Sequence, residues 1–217
     1  MSGETEKSAP LKSQKKESQV KEFKDGIEEK FKEIIFEKGE KYQRVRLWVE
    51  DETRIGLMPI HRRRITWKGI RPLISSQIKR EYSYLFGMIE PLTGKDFMME
   101  MPSLETASMQ VFMDEFSKED AESLHLILID NASAHTTEKL KVGENIVFIF
   151  LPACSPELNP IERFWKELKD WLSDYEPQTM KQMSELISQG LKSFSEKALS
   201  SITSFEYLMT AWLSVIA

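Results

Sequence analysis

The stretch Leu124-His125-Leu126-Ile127-Leu128-Ile129-Asp130-Asn131 decides the fold class. A nearly continuous apolar run, closed by turn-forming Asp and Asn, suits a strand buried on both faces of a sheet. A second run, Ile146-Val147-Phe148-Ile149-Phe150-Leu151, has the same character. Upstream, Val45, Leu47 and Val49 alternate in the β-prone segment Val45–Glu50. Tyr82–Ile89 and Asp96–Met101 flank the turn-rich hexapeptide Glu90-Pro91-Leu92-Thr93-Gly94-Lys95, which is a hairpin signal. Arg62–Trp67 reads as a further short strand before a Lys68-Gly69 turn.

Elsewhere the period is helical. Val20, Phe23, Ile27, Phe31, Ile34 and Ile35 share one face, with Gly39 as a stop. Thr106–Ser117 places Met109, Phe112, Met113 and Phe116 together. A short helix is expected between the two apolar runs. From Asn159 the chain reads as helices over about 160–173, 178–193 and 196–214. The expectation is an α/β fold, a mixed sheet flanked by helices. It divides into a flexible tail (1–19), a helix leading into the core (20–40), a core domain (41–176) and C-terminal helices packed on it (177–217).

With 41% hydrophobic and 30% charged residues in 217, the chain has enough apolar material for a core, which excludes a wholly disordered protein. Cys154 is the only cysteine, so no intrachain disulfide forms and a reducing, cytoplasmic setting is expected. No apolar run approaches the roughly 18 residues of a membrane span. The net charge of −5 argues against a simple electrostatic nucleic-acid coat protein, but the charge is segregated. Residues 41–80 hold 11 Lys/Arg against 3 Asp/Glu, a local polyanion-binding signal that an ordinary solvated hairpin would also give.

Three carboxylates stand out. Asp51 follows the first β-prone run, Asp130 follows the buried run, and Glu162 opens a helix in Asn159-Pro160-Ile161-Glu162. In α/β sheets, ligands collect beyond strand ends, where loops and helix starts converge. Acids packed closely repel and raise each other's pKa. Mg²⁺ relieves that penalty and keeps positions open for water and phosphate. Two such ions about 4 Å apart can drive phosphodiester cleavage. Each acid also has an ordinary reading: Asp51 and Asp130 as turn or cap residues, and Glu162 as the third helical residue of a capping box with Asn159, paired to Lys166.

Three blocks resemble the catalytic core of DDE transposases, in the bacterial insertion-sequence branch of the mariner superfamily. They are Asp51-Glu52-Thr53, Asp130-Asn131-Ala132-Ser133-Ala134-His135, and Leu151-Pro152-Ala153-Cys154-Ser155-Pro156-Glu157-Leu158-Asn159-Pro160-Ile161-Glu162-Arg163-Phe164-Trp165. The block from Arg62-Arg63-Arg64 to Arg71-Pro72 is also similar to that branch. The resemblance implies a ribonuclease H-like fold, with residues 41–176 as the catalytic domain. It implies Asp51, Asp130 and Glu162 as catalytic metal ligands for Mg²⁺ or Mn²⁺, as two ions. The implied reaction is cleavage of a transposon end, then attack of its 3′-hydroxyl on target DNA at a TA dinucleotide, with no covalent protein–DNA intermediate. The implied partners are DNA and a second copy of the chain in an active homodimer. The implied location is a bacterial cytoplasm, on the nucleoid when bound to DNA.

The chain departs from the family in three places. The spacing from Asp130 to Glu162 is short, Cys154 stands where an aromatic residue is frequent, and only about forty residues precede the core, where helix-turn-helix domains normally lie. The last point makes a helix-turn-helix companion chain from an upstream reading frame an expectation. It also makes a catalytically inactive, truncated DNA-binding or dimerising regulator the alternative function.

Arg62, Arg63, Arg64, Lys68 and Arg71 are the expected phosphate contacts. His135 is placed to touch the scissile phosphate or to serve structure. Lys166 and Lys169 share the helical face of Glu162 and are expected on the same DNA backbone. Trp67 is expected to pack in the core or hairpin, with base stacking as the alternative. Cys154 is expected to pack in its loop.

Overall fold

A computed structural model describes residues 11–58, 67–68, 79–131 and 140–217, with side chains from Lys16 onward. Its sheet has five strands: β1 (Arg44–Gly56), β2 (Tyr82–Ile89), β3 (Asp96–Met101), β4 (Ser123–Ile129) and β5 (Ile146–Phe150). Their spatial order is β3-β2-β1-β4-β5. The β1–β2 and β2–β3 pairs are antiparallel, and the β1–β4 and β4–β5 pairs are parallel. Six α-helices lie among the described residues: α1 (Leu11–Lys38), α2 (Thr106–Glu119), α3 (Ile161–Leu172), α4 (Met180–Ser193), α5 (Glu196–Thr203) and α6 (Glu206–Ile216).

Alternation along the strands divides the core into two layers. Leu47 and Val49 of β1 and Leu126 and Leu128 of β4 face Ile27 and Phe31 of α1 and the apolar stripe of α3. Trp48, Phe86, Met88, Ile127 and Ile129 face Met109, Phe112, Met113 and Phe116 of α2. Every residue of β4 is buried, the polar Ser123 and His125 included.

The β2–β3 hairpin, α2, β4 and β5 lie where the sequence places them. Three boundaries differ. First, α1 starts at Leu11, so residues 11–19 belong to the helix rather than to a tail. Second, β1 does not stop at Glu50. It parts from β4 after Val49 but stays paired with β2 through Gly56. Backbone hydrogen bonds to β2 carry Glu50–Arg54 as strand despite their charged side chains, so Asp51 sits within a strand, two residues past its last parallel partner. Third, the last helix is two, broken at Ser204-Phe205. There the Thr203 hydroxyl bonds to the Leu199 carbonyl and the Ser204 hydroxyl to that of Pro91, competition with the helix that Ser and Thr supply. The expected Arg62–Trp67 strand falls almost wholly outside the described residues, as does the short helix before β5.

A polar network closes the end of the sheet away from Asp51. The Arg46 guanidinium donates to both oxygens of Glu90, at 3.0 and 2.8 Å, and to Asp120 at 3.3 Å. It also stacks over Trp48, whose indole N–H donates to His125 Nδ1 at 3.0 Å. His125 Nε2 meets the Asp120 carbonyl at 2.9 Å, which makes it the protonated nitrogen of a neutral imidazole. Burial holds the His125 pKa below its usual value.

Candidate active site

Three elements converge on one cavity of about 320 Å³. Asp51 of β1, Asp130 just after β4 and Glu162 in the first turn of α3 all line it. Asn131 and the segment from Leu151 to Pro156 form the remaining wall with Asn159. Cys154 is exposed there, in a left-handed backbone conformation (φ 58°).

The start of α3 is tied to β1 by Asn159. Its side-chain amide donates to the Glu50 carbonyl at 2.7 Å, and its carbonyl oxygen accepts from the Ile161 N–H at 3.4 Å. The Tyr207 hydroxyl of α6 donates to the Leu158 carbonyl at 2.7 Å, bracing the same segment from outside. The helix seats itself through buried Ile161, Phe164, Trp165, Leu168 and Leu172. That leaves Glu162 exposed toward the cavity.

The capping-box reading of Glu162 does not hold. The helix begins at Ile161, so Glu162 is its second residue, not its third. The Asn159 N–H that a capping Glu would bind is taken by the Pro156 carbonyl at 2.9 Å.

The Asp51 carboxyl is pushed from 3.8 up to about 8, first by burial, then by the negative charges of Glu162, Glu52 and Asp130. The Trp165 indole N–H donates to Asp51 Oδ2 at 3.0 Å. Among the described residues, no three His, Cys, Asp or Glu side chains stand close enough to hold a metal ion as they are. Asp51 nevertheless feels the charge of Glu162 and Asp130 across the cavity they share, and hard oxygen donors that repel one another suit a divalent cation.

The other expected residues fall into three groups. Arg62, Arg63, Arg64, Arg71 and His135 lie outside the described residues. Lys68 and Lys166 are exposed. Lys169 is half-buried and lines a different cavity, of about 360 Å³, with Arg54, Arg80 and Tyr82. Arg54 lies over the Tyr82 ring, 5.2 Å from its centroid. Arg54 and Arg80 were missed by the sequence reading, because only the continuation of β1 and its pairing with β2 bring them to Lys169. Trp67 corrects the packing expectation: it is 84% exposed.

Set beside known proteins, the sequence profile of the DDE superfamily endonucleases matches residues 46–187, more than half the chain. The chain belongs to that family. A protein of Sinorhizobium fredii (strain NBRC 101917 / NGR234), y4pE/y4sA, is 41% identical over 95 residues, covering 43% of this chain and 70% of the relative. Among solved structures, the Mos1 transposase paired-end complex with the left transposon end superposes with a TM-score of 0.62 at 14% identity. It covers all of this chain and 65% of the Mos1 chain. The Mos1 mariner paired-end complex with Mn gives 0.60 at the same identity and coverage. At 14% identity the likeness is one of fold, and the fold is the ribonuclease H-like sheet of the transposases. The chain spans just under two thirds of the Mos1 chain.

Proposed function

We propose that the chain is the catalytic domain of a transposase, with Asp51, Asp130 and Glu162 as the acids that hold Mg²⁺ or Mn²⁺, as two ions. The carrying observation is their convergence in one cavity, where Asp51 is held largely protonated at neutral pH by burial and by the other acids. Bound divalent ions supply the positive charge this cluster lacks, activation of water and stabilisation of the leaving oxygen of a phosphodiester. The chain's own residues hold the acids in place. Asn159 ties the Glu162 turn to β1 through the Glu50 carbonyl.

The substrate in this reading is duplex DNA, cut at a transposon end whose 3′-hydroxyl then joins target DNA, at TA. Lys68, Lys166, Lys169, Arg54 and Arg80 serve as backbone contacts, with Arg62, Arg63, Arg64, Arg71 and His135 as further ones. Two copies bring two ends together, and a helix-turn-helix companion chain supplies end recognition. Family membership and the fold shared with Mos1 support this reading. The test is cleavage of DNA carrying the element's own ends in Mg²⁺ or Mn²⁺. Asp51→Asn, Asp130→Asn and Glu162→Gln each abolish cleavage while circular dichroism and thermal unfolding show a folded chain. Retained cleavage in any of the three removes that acid from the site.

A further inference from the structure

Asp51 lies opposite Gly87 in the antiparallel β1–β2 register. Trp165 reaches the same place from α3. A Cβ built at Gly87 would stand 2.5 Å from the Trp165 ring and 2.5 Å from Met98 Sδ, closer than side chains approach. The ring therefore lies directly on bare backbone beside Asp51. Trp165 itself is only 1% exposed, yet its one polar atom is not left over by packing: it donates to Asp51 Oδ2 at 3.0 Å. A buried indole needs a partner for its N–H, and here the partner is a carboxylate of the acid cavity. Phe164, its neighbour, packs in the same core with no polar handle.

From this geometry we infer that Trp165 is a positioning residue for Asp51, and that Gly87 is glycine to admit it. The inference rests on the metal-site reading above and deepens it. The indole acts on the cation site only through the carboxylate, by holding one oxygen and so setting the direction of the other. Outer partners of this kind, which orient a metal-binding carboxylate, change metal affinity by about 10- to 100-fold when removed.

The test compares Mn²⁺ binding by calorimetry in wild type, Trp165→Phe and Gly87→Ala, with Asp51→Asn as the reference for a lost ligand. Phe keeps most of the ring and removes the N–H. The expected result is a Trp165→Phe protein that stays folded and binds Mn²⁺ about 10-fold or more weakly, with Gly87→Ala weakened similarly because the new methyl displaces the indole. Wild-type affinity in Trp165→Phe, alongside lost binding in Asp51→Asn, overturns the inference and leaves the metal site standing. No binding by wild type overturns the metal site itself.

A second readout does not depend on the variant folding well. In ¹⁵N-labelled wild type, the indole resonances of the five tryptophans are followed during Mg²⁺ titration. The Trp165 signal, assigned by its absence in Trp165→Phe or by through-bond correlation, shifts with Mg²⁺ while that of Trp212, buried against α1, stays put. A Trp165 signal indifferent to Mg²⁺ that the protein demonstrably binds overturns the inference.

Discussion

Replacing Asp51 by Asn will make the metal-free protein more stable at neutral pH, even as it removes activity. Asp51 is pushed from 3.8 to about 8 in the folded state. An acid whose folded pKa is raised binds more protons folded than unfolded between those two values. Stability therefore falls as pH rises from about 4 to about 8, and is flat above. At pH 7 the gap to the unfolded value is roughly three pKa units, which at 1.36 kcal/mol each sets an upper limit of about 4 kcal/mol. The carboxyl is half-buried and its neighbours relax, so about 2 kcal/mol is the expected gain. For a chain of this size that corresponds to about 4–8 °C in Tm. Asn keeps a carbonyl oxygen for the Trp165 N–H, so the comparison isolates the charge. The assay is thermal unfolding in EDTA across pH 4 to 9, wild type against Asp51→Asn. Equal Tm values throughout, or a variant less stable at pH 7 to 8, would refute the claim that mutual repulsion and burial load this cavity.

Other outcomes follow from the same structure. Mg²⁺ at saturating concentration raises the Tm of wild type but not of Asp130→Asn or Glu162→Gln; a site filled to 100 Kd contributes about 2.7 kcal/mol. Arg46→Met strands the buried Glu90, whose side chain is 6% exposed, and costs about 3–5 kcal/mol, read as a lower urea midpoint. His125, held neutral by burial, makes stability fall as pH drops below about 6.5, because the unfolded chain takes up the proton first. His125→Gln flattens that limb while leaving the opposite slope caused by Asp51.

How much of this was readable in the sequence depends on where backbone and side chain agree. The runs Leu124–Ile129 and Ile146–Leu151 and the hairpin about Glu90–Lys95 were legible because their patterns suit only buried strands or a tight connection. The long β1 was not. Past its last parallel partner it runs through Glu50-Asp51-Glu52, acidic residues that are poor strand formers, and pairing with β2 holds them extended. Asp51, Asp130 and Glu162 were legible as a set through their motifs and positions near element ends. The roles of Asn159 and Trp165 were not, because each depends on contacts spanning about a hundred residues: Asn159 to Glu50, and Trp165 to Asp51. Gly87 carried no signal either, since its meaning comes from an indole on a helix far along the chain. The split of the basic residues was equally hidden. Lys169 and Lys166 share a helix face by periodicity, yet Lys169 joins Arg54 and Arg80 around a separate cavity.

The most direct test of the central claim is calorimetric titration of Mn²⁺ into wild type, Asp51→Asn, Asp130→Asn and Glu162→Gln under one buffer condition. Saturable binding by wild type that each substitution abolishes or weakens at least 10-fold is the expected result. Undetectable binding by wild type, or binding that survives all three substitutions unchanged, would contradict the account.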